Sequence, residues 1–164
     1  MLENRNINVC LVSDLFENYP LSENTIVVVV DLLRATTVIS TAFNFGVKEI
    51  IPVPSLEIAK TYIDREDFIV AAERNAMPIK GFDYGNSPFQ YMNNDILNKT
   101  LVLTTTNVTK AINIASSYEV ITSCFINIDA VEEFLLNSNK DVLILCSGWK
   151  GVFNLEDTIF SGCL

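Results

Sequence analysis

Asp31 and Arg34 stand three residues apart at the end of an unbroken apolar run, in "TIVVVVDLLRATT" (residues 25–37). A carboxylate there can hold a hard cation or take a proton, and a guanidinium can pair bidentately with phosphate, sulfonate or carboxylate oxygens. The pattern recurs along the chain. Glu73 and Arg74 close "FIVAAER", "TTTNVTKA" brings Thr106, Asn107 and Thr109, and "GFDYGNSP" carries Asp83, Asn86 and Ser87. Near the end, "CSGWKGVFNLED" supplies Ser147 and Gly148, then Glu156 and Asp157. Histidine is absent, which excludes a Ser-His-Asp triad, a Cys-His pair and any histidine metal site. The sequence also lacks GxxxxGKS, GxGxxG and a cysteine followed six residues later by arginine. Proton transfer and metal binding must therefore rest mainly on carboxylates.

Each cluster also admits a plain structural role. Asp31 could cap the helix that follows, with Arg34 neutralising it. Glu73 and Arg74 could be a surface ion pair, and the threonines could cap a helix. Asp83 could bond its own backbone in a glycine-rich turn, and Glu156 and Asp157 could simply occupy a first helical turn, where the dipole favours acids. Repetition of the pattern at four strand ends favours a site.

The elements that must position these residues alternate. Val- and Ile-rich runs predict strands near 7–12, 26–31, 48–53, 68–73, 101–106, 119–124 and 141–147, with helices near 34–45, 55–64, 109–117 and 129–138. This implies an α/β fold, layered α/β/α, around a largely parallel or mixed central sheet of about seven strands. In such sheets ligands bind beyond the carboxyl ends of the strands, where the polar clusters fall. Gly46 is expected to close the first helix, Ser55 to cap the second, and Asp129 with Glu132 to form a capping box. The long connection from Asn75 to Lys99 carries little regular pattern and is a candidate functional loop.

With 164 residues, 49% of them hydrophobic, the chain can bury a core, and residues 1–164 are expected to form one domain. A net charge of −9 argues against a nucleic-acid or anionic-membrane surface. No apolar run is long enough to span a bilayer, and the N-terminus lacks the regions of a signal peptide, so a cytoplasmic location is expected. The four cysteines are never spaced as CxxC and read as reduced, mostly buried small hydrophobes.

"VVVVDLLRATT", "ERNAMPIKGFDYGNSP", "TTTNVTKA" and "CSGWKGVFNLEDTIFSG", in this order and over nearly the whole chain, resemble the 2-phosphosulfolactate phosphatases. The resemblance implies a Mg²⁺-dependent hydrolysis of 2-phospho-3-sulfolactate to 3-sulfolactate and phosphate, a step that belongs to coenzyme M synthesis in methanogens. It implies catalytic roles for Asp31, Arg34, Glu73 and Arg74. Asn86, Ser87, Thr106, Asn107, Thr109, Ser147 and Gly148 would bind substrate, and metal ligands would come from Asp31, Asp83, Glu156 and Asp157. The partner is thus a small polyanion, and homo-oligomer assembly stays open.

The sequence departs from the family's pattern in three ways. Asn75 and Ala76 replace two usual glycines, which stiffens a turn. Val108 replaces a glycine between Asn107 and Thr109, where a β-branched side chain would obstruct a ligand or a positive φ. The family's chains also extend beyond the position of Leu164, so the carboxy-terminal part is expected to be incomplete. An inactive, anion-binding relative or fragment is the alternative reading. Leu155, Ile159, Phe160 and Leu164 share one side at helical spacing and would need a partner to cover them.

Overall fold

The computed structural model describes residues 5–75 and 77–164. The apolar run before Asp31 forms strand β2 (Thr25–Val30), and all of its residues are buried. Alternation along the strand explains why. Val27 and Val29 face one core with Phe16, Val108, Ala111 and Leu145, whereas Ile26, Val28 and Val30 face a second with Val131, Leu135, Ile144 and Phe160. A strand apolar on both faces belongs in the interior of a parallel sheet. β2 accordingly lies between β7 (Glu119–Ser123) and β8 (Asp141–Cys146), parallel to both, and β1 (Ile7–Cys10) pairs with the far side of β8.

The second sheet has the order β3 (Glu49–Pro52), β6 (Thr100–Thr104), β4 (Phe68–Arg74) and β5 (Met77–Pro78). Its first three strands are parallel, and the short β5 turns back against Glu73 and Arg74. The seven expected strands are thus present with the two-residue β5 added, but they divide between two sheets. Two helices join those sheets. α1 (Ala35–Asn44) leaves β2 and packs Val38, Ile39 and Ala42 on Ile69, Leu101 and Leu103 of the second sheet. α3 (Val108–Ile114) leaves β6 and packs on the first sheet. The facing edges, β3 and β7, border a mostly apolar cleft of ≈ 220 Å³ that Ile39, Leu103 and Val108 also line. Pro52, on the β3 edge, has no N–H to offer across that gap.

Three further α-helices, α2 (Leu56–Lys60), α4 (Ile128–Leu136) and α5 (Leu155–Cys163), and three short 3₁₀ segments (Ser13–Asn18, Pro88–Tyr91 and Asn94–Ile96) complete the element order. Gly46 takes φ +89° just past α1, and Ser55 Oγ accepts from Ile58 N at 3.3 Å, as expected. The capping box does not form. Asn127 precedes α4, its Oδ1 accepts from Cys124 N at 2.8 Å, and Asp129 lies inside the first turn. The stripe on α5 divides in two: Phe160 is fully buried in the core with Leu164 packed against it, while Leu155 and Ile159 are exposed. All four cysteines are free thiols, and only Cys163 is exposed. Among the described residues no helix is long and apolar enough to cross a membrane.

Candidate functional site

The chain leaves β2 at Asp31 and turns into α1. Asp31 is buried, its Oδ1 accepts from Ala35 N at 3.3 Å, and its backbone carbonyl accepts from Thr36 N at 3.0 Å. It therefore does bond to the start of the helix, but at an electrostatic cost. Burial, then the neighbouring charge of Asp157, and more weakly that of Glu73, push its carboxyl up from 3.8 to about 7.

Asp157 ties the first sheet together at this rim. It is fully buried in the first turn of α5, and its Oδ1 accepts from Leu32 N at 2.8 Å. Its Oδ2 accepts from Gly148 N at 3.4 Å. One carboxylate thus joins the residues that follow β2 and β8 to a helix start. Burial raises its carboxyl, and the N–H donors of Leu32 and Gly148 partly offset this. Gly148 takes φ +67°, and a Cβ there would meet Val152 O at 2.7 Å, so only glycine fits.

The second sheet contributes Glu73, buried at the end of β4, whose Oε2 accepts from Thr106 N at 3.4 Å. The Arg74 guanidinium donates to Glu73 O at 2.6 Å and to Thr104 Oγ1 at 3.0 Å. Arg34 is half-buried. Among the described residues the ion pairs are Lys110–Asp14 and Lys140–Glu119, so neither Arg34 nor Arg74 is committed to a carboxylate.

Four buried side-chain oxygens have no partner among the described residues: Asn86 Oδ1, Thr106 Oγ1, Ser123 Oγ and Ser147 Oγ. Each such orphan costs about 1–3 kcal/mol unless something arrives to satisfy it. Three belong to residues named from the sequence. Ser123 was not among them, although it ends β7 in register with Val30 and the strand-end rule reaches it.

Other candidates lie elsewhere or are locally engaged. Asp83 is exposed and its Oδ2 accepts from Val70 N at 2.9 Å, in the middle of β4, so it anchors the long loop well short of the Glu73 end. That loop then runs parallel to β4, through the Ala71–Tyr84 bridge, toward Asn86. Thr109 Oγ1 donates to Thr105 O at 2.8 Å, a local helix-start bond, whereas Asn107 opens α3 without a cap bond. Ser87 precedes a 3₁₀ turn, and Glu156, half-buried on α5, adds to the negative field on Asp157.

A model of the 2-phosphosulpholactate phosphatase family matches residues 10–164. The chain belongs to that family. It is 44% identical over 143 residues to "Probable 2-phosphosulfolactate phosphatase" of Caldanaerobacter subterraneus subsp. tengcongensis, covering 84% of this chain and 59% of that protein. A protein of the same name from Thermotoga petrophila is 44% identical over 137 residues, covering 84% and 60%. One from Clostridium tetani is 40% identical over 160 residues, covering 96% and 68%. The chain thus spans about three fifths of the length of the first two of these curated relatives.

Two departures from the family's glycines find a physical account. Asn75 takes φ +56°, a left-handed conformation that asparagine tolerates better than other non-glycine residues. Val108 is fully buried in helical backbone, and its side chain packs with Val27, Ala111 and Leu145, so it fills the core. The donor chemistry suits a hard cation. Among the described residues no three acidic or thiol groups are gathered as a metal cluster, but Mg²⁺ typically takes only one or two carboxylates. Asp31, whose charge is opposed by burial and by Asp157 and Glu73, is a carboxylate that a cation would relieve.

Proposed function

We propose that this chain carries the catalytic rim of a phosphatase that hydrolyses 2-phospho-3-sulfolactate, or a similarly small acidic phosphoester, to the free hydroxy acid and phosphate. The observation that carries this reading is that the buried oxygens of Asn86, Thr106 and Ser147 have no partner among the described residues, near Asp31, Glu73 and two arginines that form no ion pair among those residues. Neutral acceptors and donors that lack partners, beside cations, suit a ligand with several oxygens and negative charge.

In this reading Arg34 binds an anionic group of the substrate bidentately, and Arg74 adds positive potential from the opposite sheet. Asn86, Thr106 and Ser147 hydrogen-bond substrate oxygens and fix its orientation. Mg²⁺, held by Asp31 with Glu73, would supply neutralisation of the phosphoryl charge. Asp157 keeps the Leu32 and Gly148 amides in place. Water attacks phosphorus, the bond to the bridging oxygen breaks, and that oxygen takes a proton from solvent as the hydroxy acid leaves. A carboxylate at the rim orients that water and takes its proton, so the chemistry needs no histidine.

Purified protein is expected to release phosphate from 2-phospho-3-sulfolactate in the presence of Mg²⁺. EDTA should stop release, and Asp31→Asn should nearly abolish it. Unchanged release by Asp31→Asn would remove this strand end from the chemistry. Calorimetric binding of sulfolactate with turnover at background would leave the chain as an anion-binding relative.

A further inference from the structure

On the edge of β4 that faces away from β6, the last bond to the long loop runs from Ala72 N to Tyr84 O at 3.1 Å. β5 occupies the edge beyond, beside Glu73 and Arg74, so the chain must leave the strand at Gly85. Gly85 is buried, and a buried N–H and C=O need partners that no strand supplies here. Two consecutive side chains supply them. Gln90 Oε1 accepts from Gly85 N at 2.9 Å, and the Tyr91 hydroxyl donates to Gly85 O at 2.7 Å. This clamp is itself anchored: Tyr91 is fully buried in the core that holds Ile39 and Ala42 of α1 and Ile69 and Ala71 of β4, and its ring lies 5.2 Å from that of Tyr84. Burial pushes the Tyr91 hydroxyl up from the ordinary phenol value, so it stays protonated and keeps donating.

We infer that Gln90 and Tyr91 are positioning residues for substrate, which close both backbone groups of Gly85 and thereby fix Asn86, the residue that follows it. The inference rests on the reading that Asn86 contacts substrate. Asn86 Oδ1 is buried and has no partner among the described residues, so the side chain itself does not tie the loop down through that atom. Its place is set instead by the backbone on its amino-terminal side. A binding group carried on a long loop is only as precise as whatever holds the loop, and here the hold passes from the core through Tyr91 to Gly85. Because the same core contains α1, which leads away from Asp31 and Arg34, one tyrosine refers both the loop and that helix to a common frame.

A double-mutant cycle read by calorimetry of sulfolactate binding in Mg²⁺ tests this. Asn86→Ala is expected to weaken binding about fivefold, the worth of one hydrogen bond. Tyr91→Phe and Gln90→Leu should each weaken it by a similar factor, yet Tyr91→Phe should add nothing once Asn86 is already alanine. Gln90 is exposed, so its variant does not disturb the core. A second measurement needs no ligand: in the free protein the Gly85 amide should exchange several-fold faster in Tyr91→Phe, although that substitution leaves its bond to Gln90 in place. Equal losses from Tyr91→Phe in both backgrounds would mean that the tyrosine acts only through general packing, and would overturn the inference. Unchanged exchange at Gly85 would overturn it as well. Binding by Asn86→Ala as tight as by the unaltered protein would instead overturn the reading of Asn86 as a substrate contact, and with it any role of the clamp in binding.

Discussion

Asp31 is held where its charge is opposed by burial and by Asp157 and Glu73, so the folded protein retains a proton there that the unfolded chain releases. With the folded value at about 7 and the unfolded one near 3.8, the native state binds more protons between those limits. Stability is therefore greatest below the lower value and falls as pH rises toward the upper one. Asp31→Asn abolishes this penalty: in metal-free buffer its Tm should exceed that of the unaltered protein at pH 8 and match it near pH 3, by paired thermal melts. A variant no more stable at pH 8 would show that the charge is already compensated. Val108 argues the other way about the family's glycine. Val108→Gly should destabilise by roughly 2–4 kcal/mol, measured by urea unfolding, because it empties a core position and loosens a helix. That Asp31, Thr106 and Ser147 follow directly on strands of the two sheets was legible, because polar residues at strand ends stand out against apolar runs. The place of Asp83 beside Val70 was not legible, because it depends on how a long loop folds back, which spacing does not encode.

The junction of β2, β8 and α5 depends on one carboxylate that accepts from both Leu32 and Gly148. Asp157→Asn offers an oxygen to one of these donors and an NH₂ to the other, so one backbone amide must lose its partner. That loss is worth about 1–3 kcal/mol, and removal of a buried charge offsets part of it. The expected outcome is faster amide exchange by NMR at either Leu32 or Gly148, with slower phosphate release and little change in Tm. Unchanged exchange at both would mean that the junction does not need the carboxylate. At this scale strands and helices were readable from period and apolar runs, as β2 shows. Three features were not. The split into two sheets depends on which edges find partners, and β3 and β7 meet a cleft lined by α1 and α3 side chains instead. The expected box at Asp129 gave way to a helix start at Asn127, two residues earlier, and the stripe on α5 proved to be two adjacent i, i+4 pairs, of which the sheet selects Phe160 and Leu164.

Over the whole molecule, the site joins two sheets that share no strand pairing. Asp31 and Ser147 come from the first sheet and Glu73 and Thr106 from the second, and α1 and α3 hold the two in register. A polyanion bound between them would bring a net acidic protein a ligand of its own sign, so Arg34, Arg74 and a cation must outweigh the overall field locally. Such a ligand also bridges the sheets, and anything that binds the native state alone stabilises it by mass action. Sulfolactate with Mg²⁺ should therefore raise Tm and slow amide exchange at Leu32 and at Thr106 together, whereas Mg²⁺ alone should act through Asp31 and fail to shift Asp31→Asn. Arg34→Ala should weaken the sulfolactate effect without altering the fold, because no carboxylate among the described residues is paired with it. Slowing confined to Leu32, with Thr106 unaffected at saturating ligand, would place binding in the first sheet alone and leave the Thr106 orphan to another explanation.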